Sequence, residues 1–404
     1  MHVLDELEAR GFVAQCSDLA ALREALDTET VTLYAGFDPT AASLHVGHLL
    51  PILMMTHLQR AGHRVVALVG GGTGMVGDPS GKTEARQLLD GDAVASNASA
   101  LRVQLERFLD LSDSARGVMR DNAEWLLDLQ LIPFLRDIGS CFSVNRMLTA
   151  EGYRMRLEKG LSFIEFNYQL LQAFDFLKLY DEEGCRLQVG GDDQWSNILA
   201  GLDLIRRKRQ VQSFALTAPL LTTATGDKMG KTAAGALWLD ASRVQPFDFF
   251  QYWVNVDDRD VGRFLRLYTF LPLDEIARLE ALKGADVREA KRVLAWELTQ
   301  MVHGREAADQ ARDGAVAMVA GAAADDLPTH RLDPGSLPLP VVVLLHDAGL
   351  AKSRSEARRL IQQGGVRVGA TKLQDVDATL DAADIGDGVV LRVGKKKAAR
   401  IVAG

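Results

Sequence analysis

YAGFDPTAASLHVGH, residues 34–48, is the stretch on which the fold turns. The residues leading into it, Val31 to Ala35, read as a strand buried inside a parallel sheet. Gly36 and the Asp38-Pro39 pair interrupt that strand. Beyond them Leu44, His48, Ile52, Met55 and Leu58 recur at three- and four-residue steps, which predicts a helix. Pro51 suits that helix only near its first turn, where a missing N–H costs little. Strand end, glycine turn and helix N-terminus make the corner where open α/β sheets bind ligands, and the helix end favours an anion. His45 and His48 fall on one helical face, and Gly47 removes a side chain between them. The corner reads as the holder of a nucleotide's phosphates.

Composition bounds the rest. The 404 residues suffice for two or three domains with substantial cores. Apolar content of 47% and charged content of 25% are those of an ordinary globular protein. No run of about 18 apolar residues is present, so no membrane span is expected. The start, MHVLDELEARGF, is acidic and amphipathic and lacks a signal-peptide pattern. Cys16, Cys141 and Cys185 are odd in number and far apart, which points to a reducing compartment, with each cysteine a small core residue. A cytoplasmic protein is the expectation. The net charge of −8 is unevenly spread. Residues 338–404 carry 11 Lys or Arg against 7 Asp or Glu, leaving 35 against 47 for the remainder. A basic tail on an acidic body is either a site for a phosphate-bearing partner or a solvated surface.

In chain order, residues 1–30 read as amphipathic helix ending near Asp27-Thr28. Arg64 to Val69 is the next buried strand, after a helix closed by Ala61-Gly62. GGGTGMVGDPSGK follows at 70–82. Gly72 to Gly77 satisfies the G-x-G-x-x-G dinucleotide pattern. Asp78-Pro79 stands where the pyrophosphate-bearing helix should continue, and the strand is the second of its unit, so that reading is rejected. A P-loop ending in Gly81-Lys82-Thr83 would need glycine at position 76, where Val76 stands. The stretch is read as a glycine-lined pocket floor, with Lys82 and Arg86 in a basic loop beyond it. Residues 97–160 are helical in pattern, their apolar positions forming core or subunit interface.

A helix then runs from Phe163 to Leu179. Tyr168, Gln172 and Asp175 share one of its faces amid leucines and phenylalanines, so they are either buried in a network or line a pocket. The strand Arg186 to Val189 enters GGDDQWSNI, where Gly190 and Gly191 allow close backbone approach and Asp193 suits ribose hydroxyls. Asp192 and Asp193 point apart as neighbours, which disfavours a metal pair. Ala215 to Leu221 is a further strand, leading to TTATGDKMGKT, where Lys228 and Lys231 suit an anion or an exposed basic loop. Residues 245–318 are largely helical in pattern. Residues 321–340 hold four of the chain's 11 prolines and read as linker. Ser353 to Glu356 is a capping box opening a helix over 354–363, stopped by Gly364-Gly365. Arg354, Arg358 and Arg359 lie on that helix. Short strands at 366–368 and 389–393 precede Lys395, Lys396 and Lys397.

HVGH at the first helix and KMGKT after the last strand resemble the HIGH and KMSKS signatures of class I aminoacyl-tRNA synthetases. With YAGFDPTAASLHVGH, GDPSGK, the spacing of Tyr168, Gln172 and Asp175, and GGDDQWSN, they resemble the bacterial tyrosyl branch in sequence and order, from about residue 1 to the C-terminus. Val46 replaces the isoleucine of HIGH, while Gly230 and Thr232 replace two serines of KMSKS. Asp192 and Ser196 depart from GGSDQWGN, which leaves the role of Asp192 open.

The resemblance implies an α/β fold: a Rossmann-like parallel-sheet catalytic domain over 1–235, an α-helical anticodon-contacting domain over 236–320, a linker over 321–337, and a small α+β S4-like RNA-binding domain over 338–404. It implies activation of L-tyrosine by ATP to tyrosyl-adenylate and pyrophosphate, then transfer to the 3′ end of tRNA(Tyr). Mg²⁺ would accompany ATP, with no tightly bound protein-ligated metal. His45 and His48 would donate to the phosphates, while Thr40, Lys82, Arg86, Lys228, Lys231 and Thr232 would close over the pyrophosphate. Tyr34 and Asp175 would face the phenol hydroxyl. Asp78, Tyr168 and Gln172 would hold the ammonium group, and Asp38 and Gln194 the reacting end. Gly36, Gly47, Gly191 and Asp193 would border ATP. Arg354, Arg358, Arg359, Lys395, Lys396 and Lys397 would meet RNA. A homodimer is implied, with interface from 125–160. Two alternatives are a tryptophanyl synthetase, which should lack the Tyr34–Asp175 pair and the tail, and a nucleotide-dependent oxidoreductase, which leaves HVGH and KMGKT unexplained.

Overall fold

A computed structural model describes the chain except residues 81–89, 150, 158–159, 227–228, 233–234, 321–326, 370, 387, 395–396 and 404. It packs as two compact units: residues 1–232, 236–244 and 256–290 form the first, and residues 233–235, 245–255 and 291–404 the second. Residues 256–290, which the sequence reading assigns to the helical segment, pack with the first unit.

The first unit is built on a six-stranded sheet. Its strands are β1 (Gln15–Cys16), β2 (Thr32–Phe37), β3 (Arg64–Val69), β4 (Gly117–Asp121), β5 (Cys185–Gly191) and β6 (Phe214–Ala218). Their order is β1-β6-β5-β2-β3-β4, parallel except for the antiparallel edge strand β1. The chain leaves β2 to build β3 and β4 on one side, then returns to build β5 and β6 on the other. The reversal opens a crevice at the carboxyl ends of β2 and β5, and the site lies there.

Local chemistry explains most elements. In place of one N-terminal helix there are two, α1 (Val3–Arg10) and α2 (Leu19–Thr28), because Gly11 at φ 85 closes α1 with a left-handed cap and β1 intervenes. Helix α3 (Val46–Arg60) carries Pro51 about one turn further in than the sequence reading allows, so Pro51 donates nothing to the carbonyl of Gly47. β4 corrects the wholly helical reading of 97–160. GVMRD is short and lies on the sheet edge, so it lacks the long apolar run that marks a buried parallel strand. The helix Phe163–Glu183 starts with a reciprocal cap between Ser162 and Glu165 and ends at Gly184, φ 67.

In the second unit a five-stranded sheet has the order Thr371–Lys372, Val366–Val368, Val389–Val393, Lys397–Ala403, Thr329–Leu332. The last of these pairs parallel to its neighbour and lies inside the stretch read as linker; its backbone hydrogen bonds override the proline-rich composition. The helix Arg354–Gln362 packs Ala357 and Ile361 into this module's core. Ser353 caps it by accepting from the Glu356 N–H, but Glu356 reaches the Lys352 N–H rather than that of Ser353, so the cap is not the closed box expected. Arg354, Arg358 and Arg359 are exposed on its outer face, and Lys397 is exposed on the last strand. Lys395 and Lys396 lie outside the described residues.

Candidate active site

The crevice at the β2 and β5 ends is a cleft of about 530 Å³. It brings together Tyr34, Gly36, Asp38, Thr40, His45, Gly47 and His48 from β2 and the start of α3, and Asp78 from the glycine-rich turn. Tyr168, Gln172 and Asp175 come from the long helix, and Gly191, Asp193 and Gln194 from the end of β5. The face shared by Tyr168, Gln172 and Asp175 therefore lines a pocket. Lys82, Arg86 and Lys228 lie outside the described residues; Lys231 and Thr232 form a short strand whose side chains are not described.

The closed end holds Tyr34 and Asp175, 0% and 2% exposed. Asp175 accepts from Asn122 Nδ2 at 2.9 Å through one oxygen and from Trp125 Nε1 at 2.8 Å through the other. Burial pushes its carboxyl up to about 8, against the lowering effect of those two bonds. Burial, with the neighbouring Asp175 charge, holds the Tyr34 phenol well above its ordinary range, so it stays a donor. The Tyr34 hydroxyl and Gln188 Oε1 are buried with no protein partner among the described residues, and both residues line the cleft. Buried polar groups left unpaired cost free energy, so a ligand offering a matching polar group at this end would relieve that cost.

Asn122 also donates to Thr73 Oγ1 at 2.9 Å, Thr73 Oγ1 donates to Asp38 at 2.7 Å, and Tyr168 donates to the other Asp38 oxygen at 2.9 Å. A continuous chain of bonds thus runs from Trp125 through Asp175, Asn122, Thr73 and Asp38 to Tyr168. A second network surrounds Asp78, which accepts from Gln194 Nε2 at 2.7 Å and from the Ser80 N–H at 2.8 Å. Asn197 links Gln172, Ser80 and Gln194 in the same cluster. The carboxylates of Asp38 and Asp78, with the Gln172 carbonyl, make this middle section rich in acceptors, as an ammonium group requires.

At the mouth, His45 is the N-cap of α3. Its Nδ1 accepts from the Gly47 N–H, and His48 Nδ1 accepts from the His45 N–H, each at 3.1 Å. The rings lie 3.9 Å apart between centroids. Because each Nδ1 accepts, the neutral ring carries its proton on Nε2, which makes that atom a donor. A Cβ on Gly47 would stand 2.8 Å from His45 Cε1, so only glycine leaves this cap intact. The KMGKT segment meets the same helix end. Leu237 N–H donates to Gly230 O, Val46 N–H donates to Leu237 O, and Met229 lines the cleft. Gly230 sits at φ 77, which explains glycine where the general signature has serine.

Sequence reasoning missed Thr73, Asn122, Trp125, Gln188 and Asn197. Asn122 and Trp125 directly follow β4, so recognising that strand would have placed them at the sheet's carboxyl edge.

Sheet order, switch-point cleft, histidine-capped helix and KMGKT segment together define a class I aminoacyl-tRNA synthetase catalytic fold. The family model for tRNA synthetases class I (W and Y) matches residues 26–320, and the chain belongs to that family. The model for the tyrosine–tRNA ligase SYY-like C-terminal domain matches residues 319–401. The tyrosine–tRNA ligase of Clostridium beijerinckii is 50% identical over 98% of this chain and 98% of the relative. That of Desulfosudis oleivorans is 50% identical over 100% and 99%. Among solved structures, a C-terminally truncated Aspergillus nidulans mitochondrial tyrosyl-tRNA synthetase matches with a TM-score of 0.69 and 30% identity, over 77% of this chain and 92% of that one. These matches place the chain in the tyrosyl branch.

Proposed function

We infer that the cleft activates L-tyrosine with ATP and that the chain then transfers the tyrosyl group to tRNA(Tyr). The observation that carries this reading is the buried Tyr34 hydroxyl, without a partner among the described residues, beside Asp175 at the closed end. Tyr34 donates to the substrate phenol oxygen and Asp175 accepts its proton. Phenylalanine would leave the Tyr34 hydroxyl unpaired and bring Asp175 no donor, and is rejected on that ground. Asp78, Tyr168 and Gln172 hold the ammonium group, while Asp38 and Gln194 flank the reacting carboxylate. That carboxylate attacks the α-phosphate of ATP, and pyrophosphate leaves. His45 and His48, donating from Nε2 at a helix N-terminus, stabilise the charge growing on the phosphates. Thr40, Lys82, Arg86, Lys228, Lys231 and Thr232 take the pyrophosphate side. Gly36, Gly47 and Gly191 let ATP approach the backbone, and Asp193 accepts from its ribose.

Mg²⁺ fits this donor set as a companion of ATP. Phosphate oxygens and water would be its ligands, as is usual for that ion, and the cation would offset phosphate charge; among the described residues no group of three His, Cys, Asp or Glu side chains is placed to hold a metal. Among those residues no helix is long and apolar enough to cross a membrane; work in the cytoplasm is supported by the three free cysteines, which suit a reducing compartment. Exposed Leu127, Leu131, Ile132 and Val144 support a homodimer with its interface from 125–160. Exposed Arg354, Arg358 and Arg359, with Lys395, Lys396 and Lys397, support tRNA contact by an S4-like domain over 338–404, following a helical anticodon-contacting domain over 236–320.

ATP–pyrophosphate exchange with tyrosine, tryptophan and phenylalanine in parallel tests the assignment. Exchange with tyrosine alone is expected, and exchange with tryptophan would overturn it. Deleting residues 338–404 should abolish tRNA charging while leaving exchange intact; undiminished charging would remove the RNA role of the tail.

A further inference from the structure

Asp192 opens the short 3-10 turn Asp192–Gln194, which carries Asp193 and Gln194 into the cleft. One of its carboxylate oxygens accepts two hydrogen bonds, from Gln15 Nε2 at 2.7 Å and from Thr217 Oγ1 at 2.9 Å. Gln15 lies on β1 and Thr217 on β6, and they are paired partners across the antiparallel edge of the sheet. Thr217 is fully buried. One oxygen therefore clasps the sheet edge to the turn at the end of β5. A serine oxygen, one bond nearer the backbone, would be withdrawn from both donors. A carboxylate suits the place, since hydrogen bonds to a charged acceptor are stronger than those between neutral groups.

We propose that Asp192 is a positioning residue for ATP: by fixing the start of the turn it sets where Asp193 presents its carboxylate to the ribose. The proposal rests on the assignment of Asp193 to ribose. Gln194 donates to Asp193 at 3.4 Å but is held more closely by Asp78, to which it donates at 2.7 Å, and it accepts from Asn197, so loss of the clasp falls first on Asp193 and less on the amino-acid side.

The test is pyrophosphate exchange by the full chain, with ATP and tyrosine titrated separately and the melting temperature recorded. Asp192→Ala should raise KM for ATP on the order of tenfold, the scale of one or two lost charge-assisted hydrogen bonds, with KM for tyrosine nearly unchanged. Asp192→Asn, whose carbonyl oxygen still accepts from both donors, should restore most of the ATP affinity. Thr217→Val in the Asp192→Ala background should add little, because Thr217 acts through Asp192. An unchanged KM for ATP in Asp192→Ala overturns the proposal, as does an equal rise for both substrates with a lowered melting temperature. Should Asp192→Ala not fold, Thr217→Val alone reads the same split, and no rise for ATP overturns the idea. Asp193→Ala separates the two layers: if it spares KM for ATP, the ribose assignment falls and the clasp with it. If it raises KM for ATP while Asp192→Ala does not, the clasp alone falls.

Discussion

The two ends of the cleft are built by different means. From the closed end to the middle section, side chains from the turns after β2, β3 and β4 and from the Phe163–Glu183 helix are locked by a bond chain running from Trp125 to Tyr168. At the mouth, the histidines are held by the backbone of their own helix end, each ring accepting one N–H. The first arrangement fixes shape and polarity in a buried site, as recognition demands. The second aims donors and a helix dipole at charge that appears only during reaction, as catalysis demands. The difference predicts that substitutions at the closed end act on tyrosine affinity, and those at the mouth act on the chemical step.

The sharpest way to break the comparison is Asp175→Ala. It strands the Asn122 and Trp125 donors and removes the phenol acceptor, so tyrosine kcat/KM should fall by about a thousandfold. Normal tyrosine affinity in pre-steady-state kinetics would sink the assignment. Next comes His48→Ala, which should slow adenylate formation by about a hundredfold with tyrosine affinity unchanged. Near-wild-type activation, read by single-turnover quench, would tell against transition-state stabilisation. Lys231→Ala should slow the same step, again without altering tyrosine binding.

The smallest effect is a pH profile. The Asp175 carboxyl sits at about 8 in the folded chain, above the ordinary value of 3.8, so the folded state retains a proton that the unfolded chain has lost between those values. Ionising it costs stability as pH rises through that window. Because the ionised form is the acceptor, kcat/KM for tyrosine should climb through about 8. Asn122→Ala removes a bond that lowers this value, so the climb should move to higher pH. The substrate ammonium titrates alike in both proteins, so an unmoved profile would show that Asn122 does not tune Asp175.

Much of the fold was legible because local chemistry agrees with it. Arg64–Val69 is a strand with the bounds its apolar run gives, and His48 lies on α3, where three- and four-residue steps placed it. Gly230 likewise matches a backbone at φ 77. β4 was not legible, because an edge strand needs no apolar run, and Asn122 and Trp125 were lost with it. Thr329–Leu332 was hidden by a proline-rich surround.

The sequence by itself determined the corner at 34–48, the face shared by Tyr168, Gln172 and Asp175, and the order of motifs, because periodicity, glycine and proline act over a few residues. Only the tertiary structure decided that Asp38 binds Tyr168 and Thr73, that Asp192 clasps β1 and β6, and that Asp175 is held by Asn122 and Trp125. Those partners are far apart in the chain, and the parallel sheet brings them together through crossovers that no local pattern specifies.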